Sequence, residues 1–142
     1  MPVRVLTYGV KVTVAPTLGL AGEQFVSLTT FRRDGTPVAT PVWIAHDGEA
    51  LVVTTPAGTG KVKRLRHDPR VELRPCNRRG TVPDGATPTS GVAEVLAPQP
   101  QHLAALRRKY GVQYRIGTVV ERLVRGRRER VILRITLAEP AP

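Results

Sequence analysis

The segment from residue 54 to residue 66 combines residue types that suit the binding of a phosphate group. Two threonines are followed by a glycine-flanked turn and then by three cations. These polar and charged residues are Thr54, Thr55, Thr59, Lys61, Lys63 and Arg64. Two apolar residues three positions apart, Val62 and Leu65, predict a short helix over 61–67 that ends before an Asp-Pro pair.

This predicted helix begins with cations where acidic residues are normally found. The first N–H groups of a helix lack backbone partners and carry partial positive charge, so a cation there costs roughly 0.3–1 kcal/mol. The same groups make a helix start a good phosphate site, and local rules broken at one place tend to mark function. We therefore predict a phosphate-binding cradle. The alternative is that the cations point into solvent on a very basic protein.

The cysteine and the histidines, which commonly act in catalysis or metal binding, form no recognisable site in the sequence. Cys76 is the only cysteine, so it makes no intramolecular disulfide, and it has no metal-ligand spacing around it. A thiolate nucleophile needs a base, and nothing places a histidine near Cys76. The three histidines lie in a turn, at a helix end and on a helix: His46, His67 and His102. We therefore expect no metal site and assign no catalytic residue.

The chain is strongly basic, with a formal net charge of +11, and 18 of its 22 basic residues are arginine. The preference for arginine over lysine is in part typical of GC-rich genomes. The rest of the positive charge implies an anionic partner. Ten basic residues lie between Arg107 and Arg134, which would suit nucleic acid. However, aromatics make up only 4% and do not interleave with the cations as stacking requires, and no helix-turn-helix, RNP or zinc signature appears. Nucleic acid is therefore the lesser alternative, and arginines such as Arg130 are interpreted as a solvated face or a rim for a ligand tail.

A length of 142 residues fits one domain. We predict a single cofactor-binding domain over residues 19–142 and leave residues 1–18 without an interpretation. No apolar run reaches the roughly 18 residues of a membrane span, and no signal peptide is recognisable, so the expected compartment is the cytoplasm.

The hydrophobic pattern predicts a mostly β protein with short helices. Strands are predicted over 25–31, 38–44, 51–55, 71–75, 90–96 and 130–137, and helices over 61–67, 101–110 and 118–125. The first three strands, joined by turns at 33–36 and 46–48, predict an antiparallel meander. Because alternating β-α units are absent, a small barrel is favoured over a doubly wound sheet. The loop over 77–90 is long enough to suggest a function.

Three segments carry a resemblance to a known family. Residues 25–43, FVSLTTFRRDGTPVATPVW, look like the first hairpin of the F420-dependent (deazaflavin) oxidoreductases in the pyridoxamine-5′-phosphate-oxidase-like split-barrel superfamily. Residues 61–71, KVKRLRHDPRV, are similar to that family's phosphate-binding turn and following strand. Residues 75–80, PCNRRG, resemble the next segment in one of its subgroups. The resemblance covers roughly residues 19–137 and is most specific over 25–80.

The resemblance implies a six-stranded split β-barrel of the FMN-binding type, working as a homodimer with each cofactor lodged between subunits. It implies that the cofactor's phosphate, with its acidic tail, is bound by Thr54, Thr59, Lys61, Lys63 and Arg64, with Thr55 beside them on the same strand. The residues implied to flank the ring are Pro41, Val42 and Trp43. Those implied to approach it from the next strand are Pro75, Cys76 and Asn77.

The implied activity is hydride transfer from reduced coenzyme F420 to a small molecule such as a conjugated carbonyl, quinone-like or nitro acceptor. FMN is the alternative cofactor, because its terminal phosphate would use the same cradle. Tyr110, Tyr114 and solvent are equally open as the source of the proton. A cofactor carrier without turnover fits the same pattern.

Overall fold

The structure, a computed structural model, describes residues 4–6, 11–13, 19–20, 22–48, 50–111 and 129–138. Its strands are β1 (Arg4–Leu6), β2 (Lys11–Thr13), β3 (Phe25–Phe31), β4 (Pro37–Val42), β5 (Ala45–Asp47), β6 (Ala50–Pro56), β7 (Arg70–Cys76), β8 (Thr89–Leu96) and β9 (Arg130–Leu137). Its helices are α1 (Gly60–His67) and α2 (Pro100–Tyr110). Within these ranges no helix is both long enough and apolar enough to cross a membrane.

One antiparallel sheet organises the domain. β1 and β2 pair with each other, and the other strands form a sheet in the order β4-β3-β7-β8-β9-β6-β5. The described part of this sheet has seven strands, one more than the six expected. The extra strand arises because residues 45–47, predicted as part of a turn, form β5 and pair with β6. The mostly β character with two short helices is confirmed.

The two edge strands of this sheet are consecutive in the chain. β4 ends at Val42 and β5 begins at Ala45, so only Trp43 and Ile44 join them. Three residue steps span at most about 11 Å, whereas seven flat strands at about 4.8 Å spacing would place the edges about 29 Å apart. The sheet must therefore curl strongly and bring its two edges together.

The inner face of the curled sheet encloses the main core. Alternate residues of β9, Val131, Leu133 and Ile135, lie in this core, which confirms the period-2 pattern of the sequence. The two apolar residues of α1, Val62 and Leu65, pack into the same core. One face of helix α1 therefore packs against the barrel interior, and the cations of the helix lie on its remaining surface.

Helix α2 covers part of the outer face of the sheet. Its Ala105 and Leu106 pack against Val52 of β6 and Ile132 of β9 in a second apolar cluster. The helix ends at Tyr110, before Gly111, as predicted. The helix predicted over 118–125 lies outside the described residues.

The hydroxyl group of Tyr110 connects α2 to the link between the edge strands. The backbone N–H of Ile44 donates to this oxygen at 2.8 Å, and the carbonyl oxygens of Ile44 and Gln24 both lie 2.9 Å from it. The Tyr110 ring stacks on Trp43 with 4.5 Å between ring centroids. Burial raises the pKa of Tyr110 to about 12, so its hydroxyl stays a hydrogen-bond donor at neutral pH.

The predicted meander is wrong, although the strand positions are largely confirmed. β3 and β4 do form a hairpin, but β6 pairs with β5 and β9 rather than with β4. The short link after Val42 crosses from one edge of the sheet to the other. A turn signal in a sequence shows where the chain bends but does not show which strand it will meet.

We expect Tyr110→Phe to lower the free energy of unfolding by about 1–3 kcal/mol, because the buried N–H of Ile44 loses its acceptor. Urea denaturation followed by circular dichroism measures this change. Gln101→Ala, at an exposed position of the same helix, should change stability by less than about 0.5 kcal/mol. Equal stability of Tyr110→Phe and the wild type would show that this hydrogen bond does not anchor α2.

Candidate functional site

The start of α1 follows β6 after a three-residue turn. Thr59 occupies the N-cap position, but its hydroxyl donates to the carbonyl oxygen of Pro56 at 3.0 Å. The side chain therefore does not cap the helix, and the first turn contains no acidic residue. The first N–H groups of α1 are consequently free of the carboxylate or hydroxyl partners that normally satisfy them.

The guanidinium group of Arg64 folds back over this helix start. A Cβ atom at Gly60 would lie 2.8 Å from Nη1 of Arg64, so the glycine provides the space that the guanidinium occupies. Nε of Arg64 donates to Oγ1 of Thr30, near the end of β3, at 2.6 Å. This bond fixes the cation between α1 and the sheet.

The neighbouring strands contribute two threonines and a second arginine. β6 and β9 pair so that Pro56 lies opposite Arg130, and Nε of Arg130 donates to Oγ1 of Thr54 at 3.0 Å. Thr55 is 2% exposed, and its Oγ1 is buried with no hydrogen-bond partner. An unpartnered buried hydroxyl is unusual in a folded protein and calls for a functional or structural reason.

The cations of this cluster depress one another's proton affinity. Burial, then Arg64 and then Arg130 lower the pKa of Lys61 below its ordinary 10.5. Burial and Arg32 lower the pKa of Arg64. Among the described residues, no carboxylate forms an ion pair with Lys61 or Arg64. A bound anion would therefore relieve a repulsion that these described residues leave uncompensated.

We name this region the cradle, defined by the start of α1 with Thr54, Thr55, Thr59, Lys61, Arg64 and Arg130. Lys63 lies on α1 but is exposed, so it stands at the rim. Arg130 and Thr30 are contributions that the sequence interpretation missed, since Arg130 was assigned to a solvated face or tail-binding rim. The cradle fits a phosphate group on three structural grounds: an uncapped helix start, two cations (Lys61 and Arg64) without a carboxylate partner among the described residues, and an unpartnered buried hydroxyl.

The three residues implied to flank the ring lie in different surroundings. Pro41 is exposed on the edge strand β4, whereas Val42 is 7% exposed and belongs to the main core. Trp43 is half-buried, and one face of its ring is occupied by Tyr110. Of the three, Pro41 and the remaining surface of Trp43 are available to a ligand.

Pro75, Cys76 and Asn77 lie across β3 from this edge. Cys76 is opposite Phe25 and Pro75 is opposite Val26 in the β3–β7 ladder. Burial and Glu23 raise the pKa of the Cys76 thiol, which disfavours the reactive thiolate. The side chain of Asn77 accepts the backbone N–H groups of Arg79 and Thr81, each at 2.9 Å.

Asn77 therefore organises the loop that follows β7. In this loop, Gly80 has a positive φ of 86°, and a Cβ atom there would lie 3.5 Å from Cδ of Pro41. The loop predicted to matter for the site is thus packed against Pro41, one of the residues implied to flank the ring. Its tight hydrogen bonding gives this wall of the site a fixed shape.

The cradle and this second group lie toward opposite ends of β3. Thr30 marks the cradle end, whereas Val26 and Phe25 mark the end with Pro75 and Cys76. Four to five residues of a strand span about 13–17 Å. A ligand that contacts both groups must therefore be elongated, with its anionic end at α1.

Comparison with known proteins identifies the fold. A family model for pyridoxamine 5'-phosphate oxidase matches residues 18–140. No curated protein matches the chain. All of the similar solved structures described next are less than 25% identical in sequence, so they show the shared fold alone.

Three of these solved structures come from proteins with different names. A conserved hypothetical protein from Mycobacterium tuberculosis has 23% identity and a TM-score of 0.60, covering 89% of this chain and 82% of that chain. An F420 reductase has 20% identity and a TM-score of 0.58, and the match covers 88% of this chain and 95% of that chain. A heme storage protein from Vibrio cholerae has 12% identity and a TM-score of 0.60, covering 84% of each chain.

We expect Thr55→Val to raise the free energy of unfolding by about 1 kcal/mol, because it removes an unpartnered buried hydroxyl without changing the shape of the side chain. Thr54→Val is the matched control, since it removes a hydroxyl that accepts from Arg130 and should leave stability unchanged or lower it. Urea denaturation of both variants measures the difference. A loss of stability in Thr55→Val would mean that its hydroxyl is satisfied in solution.

We also expect Lys61→Met to stabilise the protein at pH 7. The pKa of Lys61 is lowered in the folded state, so the charged form opposes folding below that pKa, and the penalty fades as the pH rises towards 10.5. The gain should be a few tenths to about 1 kcal/mol and should shrink with added salt. Lys63→Met, at an exposed position of the same helix, should give no such gain. Denaturation at low and high salt distinguishes the two, and equal effects would contradict the charge cluster.

Proposed function

The chain belongs to the pyridoxamine 5'-phosphate oxidase family, and from that premise we propose that it is an oxidoreductase that binds coenzyme F420 with the cofactor's phosphate in the cradle. The observation that carries this proposal is the pair of cations, Lys61 and Arg64, that have no carboxylate partner among the described residues at the uncapped start of α1. F420 supplies the hydride when it is bound, and the protein contributes binding and orientation. The acceptor class that we propose is a conjugated carbonyl, quinone-like or nitro compound.

The amount of positive charge favours F420 over FMN. Arg64 and Arg130 lie close enough to Lys61 to lower its pKa, and Arg32 acts in the same way on Arg64. A terminal phosphate would occupy part of this surface. F420 has a phosphodiester followed by glutamate carboxylates, and this larger negative charge matches a cluster that continues along the end of β3. FMN in the same cradle is the alternative.

The geometry also separates the tasks of the two residue groups. The cradle residues would bind the anionic end, while Pro41 and the Pro75–Cys76 end of β7 would border the ring about 13–17 Å away. The rigid loop after β7 would fix the ring's position against Pro41 and exclude water from that side. Tyr110 would not supply a proton, because its hydroxyl is engaged with Ile44 and its pKa is raised to about 12. Tyr114 lies outside the described residues.

A second copy of the chain would complete the site in this proposal. In the described residues, one face of the sheet from β4 to β8 carries exposed apolar side chains. This face includes Ala39, Pro41 and Val92, and Val92 is 50% exposed. A homodimer would cover these apolar residues and place partner side chains near the ring. The proposal does not include nucleic acid or membrane partners.

We expect the purified protein to bind F420 saturably and more tightly than FMN, as measured by cofactor fluorescence. Lys61→Ala and Arg64→Ala should each weaken F420 binding about tenfold or more, because each removes a charge-assisted hydrogen bond. Arg66→Ala, an exposed cation on the same helix, is the control and should change binding less than about twofold. Tight FMN binding without F420 binding would move the function to flavin chemistry. Failure to bind either cofactor would reject the proposal.

The affinity for F420 should also fall as the pH rises from 7 towards 10. Because the pKa of Lys61 is lowered, its ammonium loses its proton at a lower pH than an ordinary lysine does. Lys61→Arg keeps a charged group in this range, so its affinity should fall less than that of the wild type. Parallel pH profiles for the two proteins would show that Lys61 does not contact the anion.

A further inference from the structure

A separate cavity lies between β5 and α2. It has a volume of about 270 Å³ and is lined by Ala45, His46, Ala105, Arg108 and Lys109. Its two alanines are buried and leave the space open, whereas His46 and Arg108 are exposed at its rim. The cavity therefore has an apolar floor and a basic rim.

The Lys109 ammonium has two hydrogen-bond acceptors among the described residues, and it also lies 5.0 Å from the centroid of the Tyr110 ring. Its ammonium donates to the carbonyl oxygens of Glu23 and Ile44, and an ammonium group has three N–H donors. Lys109 is partly buried, which makes an unused donor costly, and burial lowers its pKa to about 8. An acceptor placed in the cavity would complete its hydrogen bonds.

This cavity is distinct from the cradle. Lys109 is bonded to Glu23, two residues before β3, while Arg64 is bonded to Thr30 at the other end of that strand. The seven residues of β3 span roughly 20 Å. None of the residues that line the cavity belongs to the cradle or to the residues implied to border the ring.

We propose that this cavity is a second ligand site, specific for a small organic carboxylate with an apolar body. The carboxylate would accept from the third N–H of Lys109 and from the guanidinium of Arg108, and the hydrocarbon would cover Ala45 and Ala105. A volume of 270 Å³ corresponds to roughly nine water molecules in the liquid. The ligand should therefore have about nine to twelve non-hydrogen atoms.

Two acidic residues, Glu23 and Asp47, lie near the cavity in the described part of the chain. The carboxylate of Glu23, two residues before β3, favours the charged form of Lys109. The backbone carbonyl oxygen of Glu23 accepts a hydrogen bond from the same ammonium. Oδ2 of Asp47, in β5, lies 3.9 Å from Nε2 of His102, in α2. Among the described residues that line the cavity there is no carboxylate, and Arg108 and Lys109 make this lining basic, which favours a carboxylate over its neutral analogue.

The test is a titration of the full-length protein with cyclohexanecarboxylate, which has nine non-hydrogen atoms and does not absorb near 295 nm. Trp43 is the only tryptophan and stacks on Tyr110, the residue next to Lys109, so its fluorescence reports binding. We expect saturable binding of the carboxylate and at least tenfold weaker binding of cyclohexanecarboxamide, the neutral analogue of the same shape. Equal binding of the two, or no saturation, would overturn the proposal.

Variants locate the site and separate it from the cradle. Arg108→Met, at an exposed position, should weaken carboxylate binding at least fivefold, and the neighbouring Arg107→Met should change it less than twofold. Lys109→Met should abolish binding, and if it fails to fold, Arg108→Met and the amide comparison decide the matter. Lys61→Ala should leave carboxylate binding unchanged. Loss of binding in Lys61→Ala, with none in Arg108→Met, would assign the carboxylate to the cradle and overturn the second site, whatever the outcome for F420.

Discussion

The fold depends on a two-residue link between the edge strands of one sheet. Trp43 and Ile44 leave no room for β4 and β5 to lie at the ends of a flat sheet, so the sheet has to curl. Ile44 is fully buried in the core, and Tyr110 bonds to its backbone. The link thus determines the shape of the barrel and the position of α2. It also determines the cavity beside Lys109, which donates to the carbonyl of Ile44.

The cradle concentrates features that oppose folding, and we propose that they serve the binding of an anion. Lys61 and Arg64 lie at a helix start that favours anions, and burial together with the charge of Arg64 lowers the pKa of Lys61. Thr55 contributes a buried hydroxyl without a partner. None of these features helps the empty protein fold, and all of them suit a phosphate. This coincidence at one point is a stronger argument for a site than the overall charge of +11.

Local structure was largely predictable because it is encoded by neighbouring residues. The alternation of Val131, Leu133 and Ile135 defined β9, and Val62 with Leu65 defined the buried face of α1. The pairing of strands was not predictable, because it depends on contacts between distant residues. The meander was therefore wrong. Arg130 was interpreted as part of a solvated face or a tail-binding rim, since only the pairing of β9 with β6 brings it to Thr54. Likewise, Val42 and Asn77 matched the family's motif, yet one lies in the core and the other organises a loop.

The most direct test of the central claim is a binding cycle with F420 and its deazaflavin riboside, which lacks the phosphate and the acidic tail. Calorimetry would compare both ligands in the wild type and in the Lys61→Ala, Arg64→Ala double variant. If the cradle binds the phosphate, F420 binds the wild type at least 100-fold more tightly than the riboside does, and the double variant reduces this contrast to about threefold or less. A contrast that persists in the double variant, or that is absent from the wild type, would contradict the account.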